Sequence, residues 1–400
     1  MAERPSSPSD RRPPDRRPPD RRRPAAKAPR RHPIRRFNRR IPGWSVPIVI
    51  IGVLLVAELG ARVIGPDITR KAGTEERLFV KSDQIYQRGA DRTDVVVFGS
   101  SETAGGLVPT TMAKEVPELP GIYNAALAGS SVSLMHEWAQ RIVVPQLHPD
   151  VAVIGLLPMQ VMKIDVTGAQ GPEEALAAYR VAIEQVDPGG VGDLGWELRQ
   201  RSDLIRYRPY LRSPEQAADG AWTALHGGLE VTPEDLEADA AMDWTKETDP
   251  GRVARTTEDD GSVHDYWSQS LPVDADALGG QLYQRFGQGT VDLAALDAFV
   301  TDLEAAGVTP VIALAPVDRG PLTKGGADLT PLDDVSRQVE AWGKERGIAV
   351  DNQFTQDWPS HLFHDRNHLD REGAKRWSTE VGSWLAELCG AGEIPACAGG

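Results

Sequence analysis

The chain has 400 residues, of which 40% are hydrophobic, and a formal net charge of -14 at pH 7. This length allows one large or two modest domains with an apolar core. The charge is split, because residues 1–40 carry 15 Lys and Arg against 4 Asp and Glu, whereas the other 360 residues carry 29 basic and 54 acidic side chains. An acidic body argues against nucleic acid as the main partner of the folded part.

The first 40 residues are low in complexity, with three near-copies of an Arg- and Pro-rich pentapeptide that begin at Asp10, Asp15 and Asp20. Such a segment has too few apolar residues to offset its ordering entropy, and its prolines favour an extended polyproline conformation. We therefore expect residues 1–40 to form a disordered basic tail. Its arginines could contact phosphate or RNA, but a flank retained in the cytoplasm and touching anionic lipid is the simpler interpretation.

An apolar span follows the tail, since residues 41–64 are interrupted only by the charges of Glu58 and Arg62. About 20 residues at 1.5 Å each cross the hydrocarbon core, which predicts one transmembrane helix over residues 41–64. Glu58 and Arg62 are four positions apart and can pair near the outer boundary. A cleaved signal peptide is the alternative, but the charged region ahead is long and no clear cleavage site follows. The sequence therefore predicts a single-pass protein of the cell membrane, with a cytoplasmic N-terminus and an extracytoplasmic body.

Strands and helices alternate beyond a polar segment at residues 65–90, which we interpret as a stalk with a short helix. The apolar runs predict strands at residues 95–98, 121–127, 151–157, 308–316 and 348–350, and intervening helices at 132–147, 293–306 and 337–347. This spacing implies right-handed crossovers. The sequence therefore predicts an α/β domain at residues 91–390 with a doubly wound, mainly parallel five-stranded sheet, and a short tail at 391–400.

The alternation is lost between about residues 165 and 290, which we interpret as a helical insertion. Residues 173–186 and 194–212 have helical patterns, whereas residues 232–262 are acidic, poor in apolar side chains and expected to form a loop. A long insertion of this kind could cover the mouth of a site and carry specificity. Its arginine run could hold an anionic polymer, although a solvated helix face with salt bridges is the more common arrangement.

Hydroxyl side chains follow the first predicted strand, where Gly99 precedes Ser100, Ser101 and Glu102. Glycine tolerates a tight turn, and open α/β sheets bind ligands at the carboxyl ends of their strands. A serine here is therefore in a position suited to a nucleophile. The alternative is that Ser100 caps the next helix and Glu102 complements its dipole.

A candidate base and acid lie near the C-terminus, where Asp365 and His368 are three positions apart ahead of a helical pattern. A catalytic serine needs a base, and the base needs a third group that fixes its tautomer. On one tight turn the carboxylate can fold back onto the imidazole while the other ring nitrogen faces the strand ends. Asp365, His368 and a serine that follows the first strand could therefore form a catalytic triad.

These segments resemble the SGNH (GDSL-type) hydrolase family, whose fold is flavodoxin-like. Gly99-Ser100-Ser101 is similar to the first block, with Ser101 at the nucleophile, and Asp365-x-x-His368 is similar to the last. The sequence Gly-Ser-Ser-Glu looks like the variant in membrane-anchored members such as the D-alanyl transfer proteins.

The resemblance also implies an oxyanion hole formed by the backbone N–H groups of Ser101 and Gly129, because residues 124–131 are similar to the family's glycine block. The Asn-bearing third block is not matched, since Pro158, Met159 and Gln160 follow the third predicted strand. The resemblance covers roughly residues 91–165 and 290–388.

Two functions follow from the resemblance and the predicted placement. The first is a membrane-anchored serine esterase or O-acyltransferase that acts on acyl esters of cell-envelope glycans, without a cofactor and with a possible membrane protein partner. The second is a catalytically silent relative that binds glycan or holds a partner, because Ser100 replaces the family's usual Asp and the Asn block is missing.

Two further patterns concern His and Cys. Imidazoles can ligate zinc, but His361, His364 and His368 lack a His-Glu-x-x-His motif and fit the hydrolase block better, so no metal is expected. Cys389 and Cys397 are the only cysteines. Two cysteines in an oxidising compartment readily form a disulfide. We therefore predict a disulfide between Cys389 and Cys397, with two free thiols as the alternative.

Overall fold

The computed structural model describes residues 45–70, 76–89, 92–163, 201–208, 248–272, 289–324 and 326–399, with isolated positions between 179 and 222 and at 283. The predicted tail at residues 1–40 and most of the predicted insertion lie outside the described residues. The described strands are β1 (Val95–Phe98), β2 (Ile122–Asn124), β3 (Val151–Leu156), β4 (Met162–Lys163), β5 (Thr248–Thr257), β6 (Val263–Pro272), β7 (Thr290–Val291), β8 (Thr309–Leu314) and β9 (Val350–Asn352).

The described residues also form α-helices. In chain order they are α1 (Ser45–Arg70), α2 (Glu76–Arg88), α3 (Ser101–Gly106), α4 (Pro109–Glu115), α5 (Val132–Trp138), α6 (Val144–Leu147), α7 (Asp203–Arg206), α8 (Ala294–Ala305), α9 (Arg319–Lys324), α10 (Thr330–Arg346) and α11 (Arg371–Ala391). A π-helical turn at Ala139–Val143 joins α5 to α6.

Five parallel strands form the main sheet, in the order β2-β1-β3-β8-β9. Val95 of β1 lies opposite Ile122 of β2 on one side and Val151 of β3 on the other. Counted within this sheet the order is 2-1-3-4-5, which is the flavodoxin-like doubly wound order. The predicted α/β class with a five-stranded parallel sheet is confirmed. This order brings the carboxyl ends of β1, β2 and β3 to the same edge.

The core explains why these strands read as continuous apolar runs. Every residue of β1 and β3 is buried, as expected for strands covered on both faces. Helices α5 and α8 pack together, as do α4 and α11. Phe98 at the end of β1 meets Phe299 of α8 edge-to-face, with ring centroids 5.4 Å apart. Trp138 and Trp377 are the largest of the fully buried described side chains.

Helix α1 contains an apolar window, Val46–Val63, that is long enough to cross a membrane. Its large aliphatic side chains are exposed, as suits a lipid-facing helix.

The segment expected to be a stalk, residues 65–90, differs from that expectation. Helix α1 continues to Arg70, and α2 packs Leu78 and Ile85 into the core at 0% exposure. The strongly amphipathic pattern of α2 is the physical reason, because its apolar face requires a partner.

The insertion is not helical throughout. Strands β5 and β6 pair as an antiparallel hairpin, although residues 232–262 were expected to form a loop. The hairpin turn lies against the edge of the main sheet, where Asn124 N donates to Asp260 O at 2.8 Å. Gly261 has a φ of +81°, and a Cβ there would lie 2.2 Å from Asn124 O. Backbone pairing, this close approach and the burial of Val263 against Ala104 and Ala126 account for the placement of the hairpin.

The helix predicted at residues 194–212 is interrupted where the structure describes it. Ser202 has an extended backbone, with φ -133° and ψ 113°, and its side chain accepts a hydrogen bond from Ile205 N. It therefore caps α7, and the apolar pattern continues across the break. In the predicted helix at residues 173–186, the described residues Tyr179, Ile183 and Val186 are helical and buried.

The C-terminal helix α11 ends beside the two cysteines. The structure joins Cys389 and Cys397 in a disulfide with their Cα atoms 5.4 Å apart, as predicted from the sequence. The bond ties the predicted tail at 391–400 to α11.

Candidate active site

The turn after β1 depends on two glycines. Thr103 of α3 lies so close to the sheet that a Cβ at Gly99 would come within 2.3 Å of Thr103 Oγ1, and one at Gly155 of β3 within 2.2 Å. Helix α3 can therefore begin directly after the strand. This packing puts Ser101, the first residue of α3, at the carboxyl end of β1.

Ser100 does not use its side chain as a helix cap. It has an extended backbone before α3, but its hydroxyl makes no capping hydrogen bond. Instead Ser100 Oγ accepts a bond from Gly129 N at 3.3 Å. The capping role considered from the sequence is therefore wrong for this side chain.

The loop before α11 is closed by its own backbone. Phe363 and Leu369 form an isolated antiparallel bridge, and His364 N donates to His368 O at 3.1 Å. Asp318 N, beyond the end of β8, donates to Arg366 O at 2.8 Å and holds the loop to the sheet edge. These bonds fix the part of the chain that carries Asp365 and His368.

Ser101, His368 and Asp365 form one hydrogen-bonded chain. His368 Nε2 lies 2.8 Å from Ser101 Oγ, and His368 Nδ1 lies 2.6 Å from Asp365 Oδ2. A neutral His368 that accepts the Ser101 hydroxyl at Nε2 carries its proton on Nδ1 and donates it to Asp365. The three residues predicted as a triad are therefore within hydrogen-bond distance in the order that a triad requires.

The second oxygen of Asp365 is held by backbone groups. Asp365 Oδ1 accepts from His368 N at 2.7 Å and from Asn367 N at 2.9 Å. Burial raises the pKa of the Asp365 carboxyl, but the positive charges of His368 and His364 and these hydrogen bonds outweigh it and hold the pKa well below its usual range. Asp365 is therefore ionised at neutral pH and can stabilise a positive imidazole.

His364 adds a second imidazole beside the triad. Its ring stacks on that of His368, with centroids 5.4 Å apart and planes 13° apart. Its Nε2 lies 3.7 Å from Asp365 Oδ2. His364, Asp365 and His368 each offer a ligand-type atom within 4.8 Å of the others, so they are the described group that could hold a metal ion. An ion bound to His368 would compete with Ser101 and Asp365 for the ring nitrogens. His361 is not part of this group.

A second bridge lies beside the triad. Glu102 Oε1 accepts a hydrogen bond from Asn367 Nδ2 at 2.8 Å. Glu102 follows Ser101 and Asn367 precedes His368, so the bridge joins the same two segments as the bond between nucleophile and base. Sequence reasoning missed Asn367 and assigned Glu102 to the helix dipole. The bridge could have been predicted, because Glu102 and Asn367 are the chain neighbours of Ser101 and His368, which were expected to lie within hydrogen-bond distance.

Gly129, in the loop after β2, and Ser101, after β1, are the two residues expected to supply oxyanion donors. Gly129 has a φ of +75°, which favours glycine, and open space where a Cβ would stand. Its N–H points at Ser100, the neighbour of the nucleophile. The N–H of Ser101 is one of those that the first turn of a helix leaves without a partner inside the helix. The oxyanion role of these two groups stays a prediction.

The loops after β1, β2 and β3 are tied together by side chains. Ser130 Oγ donates to Gly99 O at 2.8 Å, and Gln160 Nε2 donates to Ser130 O at 3.2 Å. Gln160 Oε1 in turn accepts from Leu157 N at 2.8 Å. Gln160 therefore braces the segment after β3, where the Asn-bearing block of the SGNH family is not matched.

Tyr283 brings part of the predicted insertion near the triad. Its hydroxyl is buried and has no hydrogen-bond partner within the described structure. Burial raises the pKa of the Tyr283 phenol well above its usual value, and the charges of Glu102 and Asp365 raise it further, while Arg366 lowers it. A neutral phenol therefore stands within electrostatic reach of the triad.

Comparison with known proteins adds no relative, since no protein-family model and no curated protein matches the chain. The function therefore has to be argued from the arrangement of the residues.

Proposed function

We propose that the chain is a membrane-anchored serine esterase or O-acyltransferase acting on acyl esters of cell-envelope glycans. The observation that carries this proposal is the hydrogen-bonded chain from Ser101 through His368 to Asp365, with distances of 2.8 and 2.6 Å. A serine placed after a parallel strand, with a base and an orienting carboxylate, is the arrangement used for acyl transfer.

Each residue has a defined role in the proposed reaction. Ser101 Oγ attacks the ester carbonyl while His368 Nε2 takes its proton, and ionised Asp365 stabilises the imidazolium. The tetrahedral intermediate then collapses, the alcohol leaves with the proton of His368, and an acyl-serine remains. Water or a sugar hydroxyl, deprotonated by His368, then attacks this acyl-serine. The bond between the acyl carbon and Ser101 Oγ breaks as His368 returns the proton to Oγ, and the acid or the acylated sugar is released.

The developing oxyanion is assigned to the N–H groups of Ser101 and Gly129. The bond from Gly129 N to Ser100 Oγ is long, at 3.3 Å compared with a usual length of about 2.9–3.0 Å. This weak bond can be exchanged for one to an oxyanion, and that exchange is part of the proposal.

The proposed substrate class rests on placement and resemblance. The apolar window Val46–Val63 supports a membrane anchor, and the basic residues before it support a cytoplasmic N-terminus. The acidic body would then work outside the cytoplasm, where the acylated polymers of the envelope are found. The resemblance to the SGNH family is the basis for proposing that the bond broken is an ester.

One observation favours the alternative, a silent glycan-binding or scaffold protein. The hydroxyl of Ser100 accepts the N–H of Gly129, which is one of the two proposed oxyanion donors. If this bond persists when a substrate binds, the site lacks half of its oxyanion hole. Turnover by the unmodified protein separates the two proposals.

The experiment measures acetate release by the purified full chain from an activated acetyl ester and from acetylated glycans. Ser101→Ala and His368→Ala should each nearly abolish turnover, and the double variant should be little worse than either, because the triad acts as a unit. Asp365→Asn should reduce turnover by up to about 10⁴-fold.

Ser100→Ala is the matched control, because it removes a neighbouring hydroxyl and leaves the nucleophile in place. It should retain turnover, with folding of every variant checked by circular dichroism. A folded Ser101→Ala protein with parental turnover would overturn the triad. Absence of turnover by the parent on every ester would favour the silent scaffold.

A further inference from the structure

The acidic side chain within the apolar window of α1 is bound by the insertion. Glu58 accepts hydrogen bonds from Ser202 Oγ and Asp203 N, both at 2.6 Å, and from Leu204 N at 3.2 Å. One turn further along α1, Arg62 Nε lies 3.5 Å from Asp203 Oδ2. The start of α7 is therefore held against α1 by four polar contacts.

The position of Glu58 fixes the depth of this contact. The apolar window ends at Val63, five residues after Glu58, which corresponds to about 7 Å of helix. The polar layers on the two faces of a bilayer together add about 10–15 Å to a hydrocarbon core of about 30 Å. If α1 crosses a bilayer with this window in the hydrocarbon core, Glu58 and the residues bound to it lie within about 7 Å of the outer edge of that core, close to the headgroups. A carboxylate at this depth is costly unless it is hydrogen-bonded, and α7 supplies the donors.

Three side chains near the contact between α1 and α7 are exposed, and two of these are aliphatic. Leu198 is 45% exposed and Ile205 is 37% exposed. Leu198 is joined to the contact by the bond from Ser202 N to Leu198 O at 3.0 Å, and Ile205 follows Leu204 directly. Arg208, two residues beyond α7, is also exposed. Aliphatic side chains beside a cationic one match the acyl boundary and the phosphate layer of a membrane surface.

We propose that Leu198, Ile205 and Arg208 form a lipid-contact patch, seated in the outer face of the membrane that α1 itself crosses. Leu198 and Ile205 enter the acyl boundary, and Arg208 binds lipid phosphate. The occupant is the bilayer, because Glu58 holds this segment at membrane depth. The proposal depends on α1 spanning a membrane and not on the esterase chemistry. It would seat the described part of the insertion around α7 at the lipid surface.

The test uses the full chain in nanodiscs of phosphatidylcholine and phosphatidylglycerol. Spin labels are placed on cysteines introduced singly at Leu198 and Ile205, with Lys344, an exposed residue of α10, as the matched control. Collision rates with oxygen, which concentrates in lipid, and with a water-soluble nickel chelate are then measured. Labels at positions 198 and 205 should give an oxygen-to-nickel ratio several-fold above that at 344.

Equal ratios at the three positions would overturn the patch, and so would labels at 198 and 205 that neither reagent reaches. Glu58→Ala removes the acceptor for α7, whereas Glu58→Gln keeps an oxygen acceptor. The ratio at position 205 should fall towards the control in Glu58→Ala and remain high in Glu58→Gln. A ratio that is the same in both variants would overturn the role of Glu58 in seating the patch. Circular dichroism confirms that each labelled protein is folded.

Discussion

Asp365 and His368 stand in different environments, which suit them to different proposed tasks. The carboxylate is held ionised by neighbouring imidazoles and by two backbone N–H groups. It therefore remains negative through the pH range in which a histidine ordinarily titrates, at about 6.5. Changes of charge at the site in that range belong to imidazole.

The pH dependence of turnover follows from this division. As pH falls, protonation of His368 removes the base that accepts the Ser101 proton, so turnover should decline on the acid side as this imidazole becomes charged. Turnover of an activated acetyl ester measured from pH 4 to 9 tests this. A single acid limb centred near pH 4 would contradict the account, since it would assign the essential group to a carboxylate.

The bridge between Glu102 and Asn367 should position the base relative to the nucleophile. Glu102→Ala and Asn367→Ala should each lower kcat by about tenfold, the equivalent of one hydrogen bond to a charged group. KM and thermal stability should change little, and the double variant should resemble the single ones. Glu102→Gln is the control, because its side-chain oxygen can still accept from Asn367 Nδ2. Loss of kcat in Glu102→Gln as large as in Glu102→Ala would show that charge, and not the bridge, is what matters.

At the level of single residues, the sequence predicted three residues that lie in one hydrogen-bonded chain and missed the contacts beside them. Asp365 and His368 could be found as an acid and a base on one turn, and a serine could be found after a buried strand. The choice of Ser101 over Ser100 came from the family resemblance. The Glu102–Asn367 bridge and the bond from Gly129 to Ser100 join segments far apart in the chain. Their hydrogen bonds depend on the angle at which two loops meet, which no local pattern contains.

Helix α3 is positioned by the absence of side chains beneath it. Thr103 fits between Gly99 and Gly155, and any Cβ at those positions would overlap it. The distance between α3 and the sheet sets where Ser101 stands relative to His368, which is fixed separately by the loop before α11. The packing of α3 against the sheet therefore sets the geometry of the hydrogen bond between Ser101, in α3, and His368, in the loop before α11.

Gly155→Ala should disturb both stability and turnover. The added methyl would lie 2.2 Å from Thr103 Oγ1, and overpacking of this kind costs about 1–3 kcal/mol. A lower melting temperature and a loss of turnover should appear together, because α3 must move. Gly390→Ala is the matched control, since nothing lies within 4 Å of its Cβ position. It should be neutral or stabilising, and equal effects of the two substitutions would contradict the packing argument.

At the level of elements, periodicity predicted the buried strands and several helices, and it failed where tertiary contacts decide. The strands of the main sheet are apolar because both faces are covered, so they could be recognised in isolation. The hairpin of β5 and β6 has no such signature, since its pairing is carried by the backbone and its turn by Asp260 and Gly261. Helix α2 was assigned to a stalk because the polar residues around its apolar face dominate its composition.

For the molecule as a whole, one spanning helix and an asymmetric charge define the proposed topology. The basic residues precede the apolar window and the acidic body follows it. A reporter enzyme that works only outside the cytoplasm, fused after Gly400, should therefore be active, and its cytoplasmic counterpart should be silent. The opposite pattern would contradict the envelope placement. The disulfide between Cys389 and Cys397 fits an oxidising compartment.

The most direct test of the central claim is covalent labelling of the full-length protein with a fluorophosphonate, a reagent that reacts with activated serines. Peptide mapping by mass spectrometry should find the adduct on Ser101, retained in Ser100→Ala and lost in His368→Ala, because only a serine with a working base becomes nucleophilic. An unlabelled Ser101 in the folded protein, or an adduct that survives in folded His368→Ala, would contradict the proposed triad.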